Sequence, residues 1–225
     1  MAGELRVALE IGPNGKKVVA VAPDWPGLAR GAKTADAAIE RIRAYVPRYA
    51  PIAMEAGIAE SFAPNPGIVV VDQYPGVGST DFWGISFAFS RFDQQAMTQD
   101  ELDRELTLIR GCWAFFDDVR SRVSAEMARG PRGGGRNRDQ IVRHTFVSEL
   151  DMAKKVGLRW TQERHPSEME LAEYRDAYCA TIRAYHAEGK TARKWPLRYL
   201  IRHTAFHTLD HAWEMEDKDL TASRT

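Results

Sequence analysis

Close to residue 96 the hydrophobic period of the chain changes from two to 3.6, and it does not change back. A strand buries alternate residues and a helix buries every third or fourth. A chain that carries the two rhythms in succession belongs to the α+β class. The expected division is a small αβ domain at 1–95 followed by an antiparallel four-helix bundle at 96–225, each with its own core.

In the first part, Leu5 to Ile11 alternates apolar and polar residues, the pattern of a half-buried strand. Pro13-Asn14-Gly15 suits a tight hairpin turn, and Val18 to Ala22 supplies the returning strand. That strand stops at Pro23-Asp24-Trp25-Pro26-Gly27, which cannot extend a ladder. Thr34 caps a helix to about Tyr45, with Ala38, Ile39, Ile42, Tyr45 and Val46 as its stripe and Pro47 as its stop. Two more strands are expected at Gly67–Gln73 and Phe82–Phe89.

In the second part, Thr98 and Glu101 form a capping box ahead of Leu102, Leu106, Ile109, Trp113 and Phe116. The Gly-rich run Arg129–Arg138 reads as a loop, able to lie over the mouth of the bundle, and it lacks the ending of a phosphate-binding loop. A second helix covers about Asp139 to Val156. Ser167 and Glu170 cap a third, whose stripe of Leu171, Tyr174, Tyr178, Ile182 and Tyr185 ends before Gly189. Pro196 opens a fourth that runs to about Asp217.

Composition narrows the function. The 31 basic and 31 acidic residues cancel, and 44% of the chain is hydrophobic, which excludes a disordered chain. The balance holds in both parts: nine basic and ten acidic residues up to position 95 leave 22 and 21 beyond it. Neither part has the positive excess that phosphate backbones or anionic membranes attract, so nucleic acid and membrane partners are not expected. No run approaches the roughly 20 apolar residues of a bilayer span. The start MAGELRVALE lacks the layout of a secretory leader, and two cysteines make no disulfide framework, so the expected compartment is the cytoplasm.

The histidines supply the chemistry. His203, His207 and His211 recur at i, i+4 and i+8 of the fourth helix, and steps of about 40° keep them on one face. His144 lies on the stripe Ile141, Ser148, Met152 of the second helix. Imidazoles four residues apart can grip one ion, and a ring from a neighbouring helix adds a third ligand while leaving positions open. Isolated histidines are usually hydrogen-bonded core residues; three in register with a fourth facing them would leave too many buried polar groups unpaired. Asp210 and Glu214 are alternative oxygen ligands, and Glu149 either orients a ligand histidine or is a solvated helix residue. Cys112 and Cys179 sit in apolar helical surroundings as small hydrophobes, while His165 and His186 read as surface residues.

With four helices, His144 followed by Glu149, and the closing His203-x3-His207-x3-His211, residues 97–218 resemble the DinB-like metal-binding superfamily. The resemblance implies a divalent ion, zinc, nickel, iron or manganese, held by His144, His207 and His211, with His203 as the alternative partner of His207. Members often follow the last histidine with Arg-Gly-Gln, where this chain has Ala212-Trp213-Glu214. Relatives of that kind include transferases and isomerases that use a low-molecular-weight thiol, so a small thiol or an electrophile is the implied partner, and a metal-dependent hydrolase shares the same site. Arg6–Tyr45, with Pro23-Asp24-Trp25-Pro26-Gly27 and the helix after Thr34, resembles a HicB-like antitoxin-type domain. That resemblance implies a short strand after the Pro-Gly turn and an oligomerising or ligand-sensing module. The alternative function is a non-enzymatic regulatory or stress-response protein that forms a homodimer through the bundle, with Phe206, Leu209 and Trp213 pointing outward from the fourth helix.

Overall fold

The computed structural model describes residues 3–130, 135–160 and 166–221. Strands β1 (Glu4–Ile11) and β2 (Val18–Val21) pair antiparallel, with Ile11 opposite Val18. Their turn is held from outside: the Asp81 carboxylate accepts the amides of Asn14, Lys16 and Lys17. After the Pro-Gly turn, β3 (Ala29–Ala32) returns antiparallel to β2. Helix α1 (Ala35–Glu55) follows, and the Thr34 hydroxyl accepts the Ala37 amide as its cap. Strand β4 (Gly67–Pro75) then joins β1 in parallel, giving a mixed sheet of order β3-β2-β1-β4.

Two expectations about this part are corrected. Helix α1 does not stop at Pro47 but continues through Pro47 and Pro51 to Glu55. The two prolines are one turn apart and both are exposed, so the Arg43 and Pro47 carbonyls that lose an amide partner lie on the solvent side of the helix. The buried face of Val46, Tyr49, Ile52 and Ala53 supplies the reason to continue. Phe82–Phe89 is not a strand. Helix α2 (Gly78–Trp83) ends at Gly84, whose φ is 71°, and an irregular segment leads to the single turn α3 (Arg91–Gln94). The amides of Phe87 and Ala88 donate to the buried Glu10 carboxylate, as do the hydroxyls of Tyr74, Thr80 and Ser86. Amides committed to a carboxylate are not offered to a ladder, and the alternating apolar pattern loses to that demand.

Four long helices complete the chain: α4 (Gln99–Arg122), α5 (Arg138–Ala153), α6 (Glu168–Ala187) and α7 (Leu197–Asp217). Thr98, Asn137 and Ser167 cap the first three through their side-chain oxygens. The Gly-rich loop is described only at its ends; 131–134 lie outside the described residues, as does His165.

The expected separate cores are one. A continuous cluster of buried apolar side chains runs from Leu5 and Leu9 of β1 through Ile42 and Tyr49 of α1 to Trp113, Tyr178 and Trp213. Helix α7 is the reason, since sixteen of its 21 residues are buried. Phe206, Leu209 and Trp213 were expected to face outward and do not. Phe206 packs with Val19, Val21 and Ala29 of the sheet, and the Trp213 ring lies edge-on to Tyr45 of α1. Leu209 and Ala205 crowd Gly27, where an added Cβ would lie 2.8 Å from Leu209 Cδ1. The apolar surface expected to make a dimer is therefore covered by the chain's own N-terminal part.

Candidate metal centre

Because α7 is packed on both sides, its histidines are divided between two environments. His203 is enclosed by rings: it stacks on Tyr199 and meets Trp195 and Phe87, with its Nδ1 3.4 Å from the Tyr199 hydroxyl. Burial, reinforced by the positive charge of Arg202, lowers its pKa to about 3. One and two turns on, His207 and His211 emerge into a cleft of about 760 Å³ between β3, the segment after α2, α5 and α7. There they meet His144 of α5, with ring centroids 5.1 Å from His207 and 4.8 Å from His211. One ligand nitrogen from each of the three lies within 4.8 Å of the others. Imidazole nitrogens that share one zinc lie roughly 2.0–2.1 Å from it. His203 is not part of the group.

The histidines themselves have features of a metal-ligand set. The His207 Nδ1 atom is sealed from solvent and has no hydrogen-bond partner. Leaving such an atom unsatisfied costs about 1–3 kcal/mol, which an ion ligated at this nitrogen would offset. Burial lowers the pKa of His144 and holds that of His207 well below 6.5, and each ring's neighbours in the cluster add to the effect. Neutral imidazole is the form that binds metal. His211 presents its other nitrogen: Nδ1 lies 2.8 Å from Glu214 Oε2, whose Oε1 accepts from Lys218 at 2.7 Å. Burial works against the Glu214 charge, but these two hydrogen bonds bring its pKa down to about 2. A carboxylate on the far nitrogen fixes the tautomer and aims Nε2.

Glu149 does neither of the things expected of it. It is buried beneath the site and accepts from Trp113 Nε1 at 2.7 Å and Thr208 Oγ1 at 3.0 Å. Burial raises its pKa. The orienting carboxylate is Glu214, three residues after His211; that i, i+3 spacing was the available signal. Asp210 lines the cleft and pairs with Arg30 at 3.2 Å. His186 is half-buried rather than on the surface, with Nε2 2.8 Å from the Met97 carbonyl. Cys112 and Cys179 are free and buried, and burial pushes both thiols up, as befits packing residues. Tyr174 and Tyr178 lie in the core. Among the described residues no helix is long and apolar enough to cross a membrane.

Comparison of the chain with models of known families, with curated proteins and with solved structures gives no match.

Proposed function

We propose that this chain is a divalent-metal-binding protein whose helices α4–α7 form a DinB-like four-helix bundle behind a HicB-like N-terminal module. In this reading His144, His207 and His211 hold zinc, nickel, iron or manganese, and the protein acts as a thiol-dependent transferase or isomerase in the cytoplasm. The observation that carries it is the convergence of three imidazoles in one cleft, one of them with a sealed, unpartnered nitrogen. A divalent ion at such a site lowers the pKa of a bound thiol or water and so makes it nucleophilic at neutral pH. The chain's own groups do the rest. Glu214 holds the His211 ring with its Nδ1 occupied, and Lys218 neutralises the carboxylate from the other side. Trp83, Phe87 and Phe206 give the cleft apolar walls. A volume of about 760 Å³ is in the range of small-molecule sites.

Metal analysis of protein purified without a histidine tag is the test. The wild type is expected to carry about one divalent ion per chain and to gain thermal stability on adding zinc, by linkage of binding to folding. His207→Ala with His211→Ala removes both effects. A wild-type chain that takes up none of the four ions, and whose melting is unmoved by them, overturns the reading.

A further inference from the structure

The net charge of the chain is zero, yet the cleft is not neutral. Five cationic side chains line it, Lys17, Arg30, Lys33, Arg41 and Arg136, against two carboxylates, Asp210 and Glu214. Both carboxylates are committed, Asp210 to Arg30 and Glu214 to Lys218 and His211. Of the cations, Arg30 is fixed between the rings of Tyr45 and Trp213, 3.7 and 4.3 Å from their centroids. Lys17 Nζ donates to the Phe82 carbonyl and Arg41 to the Gly31 carbonyl, so both are anchored by neutral acceptors. Among the described residues Lys17, Lys33, Arg41 and Arg136 form no ion pair with a carboxylate. Arg136 is near enough to His144 and His207 to help lower their pKa values. Four cations without carboxylate partners around one concavity focus a positive potential there. They come from three separate parts of the chain, the β1–β2 turn, the β3–α1 region and the entry to α5. The opposite quality is supplied by Trp83, 63% exposed, with Phe87 and Phe206 on the same walls.

We infer that the cleft binds a small organic anion with an apolar body, its charged group held by Lys17, Lys33, Arg41 and Arg136 and its reacting end at the three histidines. The inference deepens the metal reading and rests on it only for where the reacting end lies; the charge recognition is a property of the metal-free cleft as well. Concavities of this size hold a small molecule, and a few charged groups among apolar walls set its orientation.

Calorimetric titration of tag-free protein, dialysed free of metal and held at constant ionic strength with sodium chloride, tests it. The probes are phenyl phosphate, inorganic phosphate and benzyl alcohol. Phenyl phosphate is expected to saturate one site, inorganic phosphate to bind it more weakly, and benzyl alcohol not to bind. Lys33→Gln with Arg136→Gln weakens phenyl phosphate by about tenfold or more. Lys33→Glu alone, at an exposed position, weakens it with the urea midpoint unchanged. No saturable binding of phenyl phosphate, or equal affinity in the folded variants, overturns the inference. The same titrations after zinc loading separate the two claims. Protein that refuses zinc yet binds the anion through these cations refutes the metal reading alone, and protein that holds zinc but ignores the anion refutes this one alone.

Discussion

Glu105 lies on α4 with 2% of its surface exposed, its Oε1 3.1 Å from Arg198 and its Oε2 sealed without a partner. Burial raises its pKa from 4.5 to about 7, and the attraction of Arg198 and Arg104 recovers only part of that shift. A carboxyl whose pKa is higher in the folded state binds its proton more tightly there. Its contribution to stability is therefore present in full below 4.5 and is lost as the pH rises through 7. Glu105→Gln keeps an acceptor for Arg198 and cannot ionise. Between pH 5 and pH 7.5 the wild type is expected to lose stability relative to the variant, read as diverging urea midpoints. Midpoints that run parallel across that window would show that the carboxylate stays ionised in the fold. Glu149 shows the same physics with neutral partners, since Trp113 and Thr208 both donate to its Oε1.

Helices α1 and α4 approach closely because of one glycine. A Cβ placed on Gly111 would lie 2.7 Å from the Ile52 carbonyl oxygen and 3.3 Å from the Ala56 Cβ, and main chain cannot give way as a side chain can. Alanine is better than glycine in a helix interior by about 1 kcal/mol, so propensity alone gives Gly111→Ala as stabilising. Overpacking costs about 1–3 kcal/mol and is expected to win, lowering the denaturation midpoint. A raised midpoint would mean that the helices can separate at no cost. At this scale the helix starts were legible, because Thr98 and Ser167 each sit three residues before a Glu that completes a capping box. The passage of α1 through Pro47 was not, because a local rule about proline does not know which face a helix buries. The Phe82–Phe89 segment failed for a similar reason: Glu10, more than 70 residues away, takes its amides. In the candidate metal centre the histidine spacing gave the shared face of α7, but that face points two ways. His203 turns to aromatic rings while His207 and His211 meet His144. The cations of the cleft could not be read at all, since only the fold gathers residues 17, 33, 41 and 136.

For the molecule as a whole, α7 joins the two halves of the sequence. Its Thr204 and Thr208 reach Tyr178 and Glu149 of the helical part, while Arg202 binds Asp93 and Ser86 on the other side. Phe206 covers the sheet and Trp213 meets α1. Cutting the chain at residue 96 would expose Phe206, Leu209 and Trp213 to water, at about 1.5–3 kcal/mol for each large apolar side chain. It would also remove the carboxylate of Asp93, leaving the Arg202 guanidinium without its ion-pair partner. Against a total stability of about 5–15 kcal/mol for a natural domain, that loss is decisive. The full chain is expected to unfold in one transition, with circular dichroism and tryptophan fluorescence superimposed. A fragment of residues 96–225 is expected to show helical signal without a cooperative urea transition. A fragment that unfolds cooperatively would restore the helical part as an independent domain. Even then its cleft would lack Lys17, Lys33 and Arg41, so it could keep the three histidines and still fail to bind phenyl phosphate. That pair of outcomes would assign the metal to one half of the sequence and the anion to both.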